Sequence, residues 1–466
     1  GSALSAVHVS CRCSGDARMF CRGWGCATQR ADVRWNFPAD PTHVPNMKVS
    51  HLAVVATALT TLLGTARAQL AADPQVIGWV SSPLLPASGG LQLQDIDNKC
   101  QPAKVLCTNV LLNTTIAYAG GTAYDPRHQT VWVTDGRSLE EFDPMSCKSV
   151  CQAKPALMRA GAVFSGLAIA NRRRMLYHLE TMPGYLGILP WNNAVCPPVP
   201  TKGGCGLTLG AQDTAGGLAY DETRDLLYFT ISTPTTTGVA NTLLVASANN
   251  ACVPTCKLAI PGSILTVPFG AVTGLAFNPC DDSLYATDGR VTLRLQVDPV
   301  QCTIKLISTC AKQTGGGDYQ GLALVPGWSR AAVGKSCVTK GCPSCPSLAT
   351  TVFGGDPALG NPDFGIAVTG GPTGALAILA VGFGGCTPGN PFLCGALHLS
   401  PLTPIVLVPL GTMTGPQCAA EARIGVPVPV DAQLCGATLC LQSVALCGTA
   451  TGDHALSAGL RLTLAH

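Results

Sequence analysis

Three acidic side chains recur at one place in a repeating pattern. Each stands fourteen residues after a glycine that opens a Gly-x-Ala segment: Asp135 after Gly121, Glu180 after Gly166 and Asp288 after Gly274. Carboxylates gathered on one face of a fold could hold Ca²⁺, a hard cation that collects oxygen ligands, or could meet a cationic ligand. The competing reading is that Asp135 and Asp288 start Asp-Gly turns, the strongest short hairpin signal. That reading is preferred here, so no cofactor is expected, with Ca²⁺ as the alternative.

The remaining chemistry-bearing residues form no catalytic set. His128, His178, His398, His454 and His466 are scattered, and no His-Glu-x-x-His, Gly-x-Ser-x-Gly, phosphate loop or dinucleotide fingerprint occurs. Cys342 and Cys345 make a Cys-x-x-Cys within a Cys/Pro/Ser-rich stretch, 336–350. A zinc ribbon needs a second such pair, and a thioredoxin-like motif needs a βαβ setting. Local disulfides involving Cys280 are expected instead. Arg172, Arg173 and Arg174 are expected to form a solvated turn on the face opposite the three acids.

The elements that would position these groups follow from the spacing. Eleven residues after its glycine, each repeat places an aromatic: Gly121 with Trp132, Gly166 with Tyr177, Gly217 with Tyr228 and Gly274 with Tyr285. A fifth Gly-Leu-Ala stands at Gly321. Successive glycines lie 45, 51, 57 and 47 residues apart, the length of a four-stranded propeller blade. Small residues suit an innermost strand, where strands converge on an axis. Polar pairs such as Asp125-Pro126, Asp221-Glu222 and Asn278-Pro279 then reverse the chain, and strands at 131–134, 176–179, 227–230 and 284–287 are aromatic and β-branched.

Cysteines share the period. The pairs Cys100/Cys107, Cys147/Cys151, Cys196/Cys205, Cys252/Cys256 and Cys302/Cys310 each precede the next Gly-x-Ala by 11 to 18 residues. One disulfide per blade is expected, clamping the third strand to the outermost. The first pair has no Gly-x-Ala before it, and the last Gly-Leu-Ala has no pair after it. The sequence therefore predicts an all-β fold, a five-bladed β-propeller over 75–335. Its last blade joins an inner part near 321–333 to an outer part near 75–110.

The segments Trp132-Val133-Thr134-Asp135, Tyr285-Ala286-Thr287-Asp288 and Tyr228-Phe229-Thr230-Ile231 resemble the repeats of low-density-lipoprotein-receptor-type propellers and are similar to NHL-type repeats. The resemblance implies an extracellular or scaffold binding surface rather than catalysis. Five blades are one fewer than the receptor type carries.

Seven apolar runs between 351 and 466 alternate with Gly/Pro turns and predict a small antiparallel β-sandwich. Through Gly360-Asn361-Pro362-Asp363-Phe364 and Ser457-Ala458-Gly459-Leu460-Arg461 it resembles C-terminal sandwiches of secreted bacterial proteins, which implies surface attachment or export. At the other end, Met47 and Lys48, an apolar run at 52–63 and Ala66-Arg67-Ala68 read as a signal peptide over 47–68, with 1–46 a mis-assigned leader. Without 1–68, the 29 basic and 26 acidic residues lose seven and three respectively, leaving 22 against 23. A near-neutral chain without a basic stripe argues against nucleic acid as a partner, and no later apolar run predicts a membrane span.

Twenty of the 24 cysteines follow the signal, which points to an oxidising compartment: secreted, periplasmic or cell-surface. Two functions are compatible with these features. One is a secreted non-catalytic binding or matrix protein that recognises an extracellular protein or glycan. The other is a metal-dependent propeller hydrolase of lactonase type, which would need acidic side chains projecting into the channel. The four-residue Gly-x-Ala-x segments of the inner strands supply none.

Overall fold

Hydrogen-bonded ladders gather the repeats into four-stranded antiparallel sheets. A computed structural model describes residues 75–81, 89–95, 104–110, 121–134, 139–144, 146–153, 163–181, 184–190, 203–261, 269–311, 318–325, 329–338, 342, 345, 347–448 and 453–464. The leader and signal segments, Asp135, Cys100 and Cys196 lie outside them, as does the side chain of Cys107.

Four sheets are each built from consecutive strands, beginning with Thr122–Asp125, Phe164–Ala170, Thr214–Asp221 and Gly274–Asn278. A fifth begins with Asp318–Val325, which pairs with Gln75–Ser81; that strand pairs with Gly89–Asp95, and the latter with Lys104–Val110. Two stretches more than 200 residues apart in sequence thus share one sheet, as the unmatched first cysteine pair and last glycine segment required. The inner part is shorter than expected. Ser329–Val333 leaves this sheet and pairs with Gly459–Thr463 of the C-terminal region.

The repeat glycines explain how the sheets meet. A Cβ on Gly121 would stand 2.7 Å from the Gly166 backbone, on Gly166 2.9 Å from Leu218, and on Gly217 2.7 Å from Leu275. On Gly274 it would stand 2.6 Å from the Leu322 nitrogen, and on Gly321 2.6 Å from Thr122. Each glycine lets its strand touch the inner strand of the next sheet, and the fifth returns to the first. The inner strands therefore close a circle in a β-propeller arrangement.

The eleven-residue spacing has a matching cause. Tyr177 on the second strand of one sheet stacks on Tyr220 of the next inner strand at 6.0 Å, and Tyr228 stacks on Phe277 at 5.4 Å. Trp132, Tyr177, Tyr228 and Tyr285 are all fully buried. The turns between first and second strands repeat in detail. Gln129, Arg174, Asp225 and Asp282 occupy the left-handed region at φ 59°, 52°, 60° and 56°. Asp125, Asp221 and Asn278 each accept the N–H two residues ahead.

Disulfides depart from the expected pattern. Cys205 bonds Cys252, and Cys256 bonds Cys302, so these bridges join the outer strands of neighbouring sheets rather than clamping one hairpin. Cys147, Cys151 and Cys310 are also disulfide-bonded. Residues close in sequence on one outer strand face the adjacent sheet, where the preceding or following repeat supplies the partner. The Cys-x-x-Cys is not locally paired either: Cys342 bonds Cys447 and Cys345 bonds Cys418. Cys337 bonds Cys394, Cys386 bonds Cys440, and Cys280 bonds Cys435.

The C-terminal region holds a seven-stranded and a three-stranded antiparallel sheet. Val368 and Ala422 of the smaller meet Ala377 and Ala445 of the larger in one apolar cluster. Beside it, Thr350, Ser443 and Ser457 share hydroxyl hydrogen bonds of 2.8 and 2.9 Å, satisfying polar atoms that burial would otherwise leave unpaired.

Candidate functional site

The residues 354–363 of the C-terminal region, a run rich in Gly and Pro, lie against one end of the ring. Small and conformationally free residues let this backbone approach closely: a Cβ on Gly355, at φ 93°, would stand 2.3 Å from the Arg127 carbonyl. Asp356 is fully buried there. Its backbone N–H donates to the Pro126 carbonyl at 2.6 Å, while the Tyr124 hydroxyl and the Gln129 amide donate to its carboxylate at 2.5 Å each. Burial pushes the Asp356 carboxyl up to about 6.

Around this seat the first turns of the repeats hold the C-terminal region by charge and sulfur. Arg174 pairs with Asp363 at 2.6 Å, Arg127 lies 3.8 Å from the same carboxylate, and Cys280 is tied to Cys435. Arg173 makes a two-point ion pair with Asp225 in the turn of the next sheet, and Arg224 reaches Asp282 in the one after it at 2.5 Å. Arg172, Arg173 and Arg174 lie in the expected turn, with Arg172 and Arg174 exposed, and they also carry contacts that the expectation of a solvated turn left out. They bridge turn to turn and ring to C-terminal region, because closing the ring brings acidic turn residues from other repeats beside them.

Above the seat lies a central cavity of about 120 Å³. Its wall is the inner strands, with Leu167, Leu218, Leu275 and Leu322 in register and Tyr124, Tyr220 and Phe277 nearer the turns; Ala358 and Leu359 also line it. Two polar side chains missed in the sequence belong to this wall, Asn171 and Glu222. Each stands five residues after the glycine of its repeat, and Glu222 belongs to a pair first assigned only to chain reversal. Glu222 accepts the backbone N–H groups of Asn171 and Arg172, and burial pushes its carboxyl up to about 8.

Among the described residues, one group of three could hold a cation: Asp125, His128 and Glu141 have ligand atoms within 4.8 Å of one another. His128 Nδ1 lies 2.7 Å from Asp125 and 3.7 Å from Glu141. The bond to Asp125 raises the imidazole's pKa, and burial raises that of Glu141. Thr130 donates to Glu141 at 2.5 Å and Arg127 contacts Asp125 at 3.5 Å, so both carboxylates already carry donors or positive charge.

The acids singled out by spacing lie elsewhere. Glu180 is 2% exposed, 3.6 Å from His178, whose own pKa burial lowers to about 4. Asp288 accepts N–H groups from Gly270, Arg290 and Val291 at 2.7, 2.9 and 2.7 Å, which makes it the cap of its turn. Asp135 falls outside the described residues.

No protein-family model matches the chain, and no curated protein matches it in sequence. Solved structures that resemble it in part include three from different organisms. A putative 6-phosphogluconolactonase from Bacteroides uniformis ATCC 8492 has 9% identity and a TM-score of 0.32, over 53% of this chain and 73% of that one. Hydrazine synthase of Kuenenia stuttgartiensis has 11% identity and a TM-score of 0.32, over 56% and 97%. The β-propeller domain of Cps50 (Swd1) from Myceliophteria thermophila has 11% identity and a TM-score of 0.29, over 82% and 95%.

Proposed function

We propose that the five sheets are the blades of one five-bladed propeller, that the C-terminal sheets form a β-sandwich, and that the whole is a secreted, non-catalytic recognition or matrix protein. The observation that carries this reading is the use of the ring's two ends. The first-turn end is occupied by the chain's own residues 354–363, so the partner is left the opposite end, where second strands turn into third strands. Glu180 and Asp288 fall toward that end, Asp288 as a turn cap. The hairpin of Leu226–Thr235 and Gly238–Ser247 is the feature a partner meets first. Its ten-residue strands outrun the five- to eight-residue second and third strands of the other repeats, and residues 233–238 at its tip are exposed, uncharged and rich in threonine.

Seven disulfides among the described residues suit an oxidising extracellular setting. No described helix is long and apolar enough to cross a membrane. The partner is an extracellular protein or glycan, with Ca²⁺ as an optional bridging ion at the open end. The test is a protein and glycan array probed with the purified oxidised chain. Capture that is lost when residues 233–237 are replaced by a short Asn-Gly turn supports the reading, and a wholly blank array contradicts it.

A further inference from the structure

One hairpin leaves its sheet behind. The strands Leu226–Thr235 and Gly238–Ser247 run ten residues each, but their neighbours stop earlier. The inner strand extends no further than Thr214, opposite Ser232, and the outer strand no further than Ala259, opposite Thr242. Among the described strands, residues 233–235 and 238–240 therefore pair only with each other, as a two-stranded ribbon with both edges free. Natural proteins blunt such edges with charge or proline. Pro234 is present, but no Asp, Glu, Lys or Arg stands between Asp225 and Lys257. The corresponding turn of the following repeat carries Asp288 and Arg290.

In place of charge the tip carries hydroxyls. Thr233, Thr235, Thr236 and Thr237 are all exposed. Thr233 donates to the Asp213 carboxylate at 2.7 Å, and Thr235 donates to the Gly238 carbonyl at 3.0 Å. Thr236 and Thr237, the two residues of the turn, have hydroxyls that bond to no other described residue. Turn chemistry does not ask for them: Gly, Pro, Asn, Asp and Ser dominate such positions, and Gly238 takes the unusual backbone of this turn, at φ 144°. Accessible threonines beside a proline in an uncharged segment match the composition of O-glycosylated stalks. A phosphate is poorly served at the same place, because the hairpin offers no basic residue to pair with it.

We propose that Thr236 and Thr237 are sites of O-linked glycosylation. The threonine Oγ attacks the anomeric carbon of an activated sugar, and the bond from that carbon to the donor's phosphate oxygen breaks. The nucleoside diphosphate or polyprenyl phosphate leaves, and the hydroxyl proton passes to a base of the transferase. A bulky neutral sugar then shields the free edges of the ribbon where charge is missing. Such transfer accompanies export and so rests on the reading of the chain as secreted, but not on the identity of its partner.

Transfer to the full oxidised chain, purified without sugars, tests it in two arms. One supplies UDP-N-acetylgalactosamine with a soluble polypeptide transferase, and the other supplies polyprenyl-phosphate mannose with a membrane-bound mannosyltransferase. Intact mass and fragmentation of the peptide that holds residues 233–238 read the result. The expected outcome is sugar on Thr236 or Thr237 in at least one arm, lost in Thr236→Ala/Thr237→Ala and kept in Thr233→Ala. These substitutions lie in an exposed turn and should stay within about 0.5 kcal/mol of neutral, so loss of folding does not mask the result. No transfer in either arm, transfer confined to other residues, or transfer undiminished in the double variant overturns the proposal. A labelled tip with a blank partner array would sink the recognition reading alone, and capture on the array by a chain that neither arm labels would sink the glycosylation alone.

Discussion

Glu222 and Asp356 are two buried acids at the seat of the C-terminal region, and both titrate above the ordinary carboxylate range because burial disfavours their charged forms. The sign of the consequence follows from linkage. Between the unfolded value and the folded one, the unfolded chain ionises while the folded chain stays protonated, so stability falls as pH rises. For Glu222 that window runs from about 4.5 to about 8. Chemical denaturation from pH 5 to pH 8 should therefore show the wild type losing more stability than Glu222→Gln, by an amount on the order of a few kcal/mol. Parallel pH profiles would contradict the assignment. Neither acid could be picked out from the sequence. Glu222 looks like an ordinary turn residue until Asn171 and Arg172 of another repeat donate to it, and Asp356 acquires its role only from Tyr124 and Gln129, more than 220 residues away.

At the scale of strands, the repeat was legible because its spacing is itself a packing rule. The eleven residues from Gly217 to Tyr228 carry the chain up an inner strand and back, placing the ring against Phe277 of the next. The glycines are the tightest expression of this. Gly274→Ala would drive a methyl group to 2.6 Å from backbone that cannot move without opening the ring. It should cost about 1–3 kcal/mol, whereas Gly425→Ala, with nothing within 4 Å of the new methyl, should be within about 0.5 kcal/mol of neutral. Thermal melts of both variants check the contrast, and equal losses would mean that the inner strands do not meet as described. Cysteine connectivity was not legible. Sequence neighbours such as Cys252 and Cys256 sit on one outer strand and its turn, and what they face belongs to the flanking sheets.

For the molecule as a whole, the C-terminal region is held by one buried carboxylate, exposed ion pairs and a disulfide, and these should differ in weight. Asp356→Ala leaves the Tyr124 hydroxyl and the Gln129 amide without their acceptor and should cost about 1–3 kcal/mol. Asp363→Ala removes a contact to the largely exposed Arg174 and the more distant of two carboxylates beside the buried Arg127, which keeps Asp125, and should cost about 1 kcal/mol, less than Asp356→Ala. Urea titration ranks the two, and the reverse order would place the weight of docking on the surface pairs. The strands of this region were readable from their apolar runs, but not their use. Ser329–Val333 looks like the end of the ring until its partner, Gly459–Thr463, arrives from 130 residues later.

The ring itself is most directly tested by mass mapping of disulfides in the unreduced protein. Sheets ordered as described predict cross-linked peptides joining Cys205 to Cys252, Cys256 to Cys302 and Cys280 to Cys435. Recovery of Cys252 bonded to Cys256 and of Cys302 bonded to Cys310 would contradict that order.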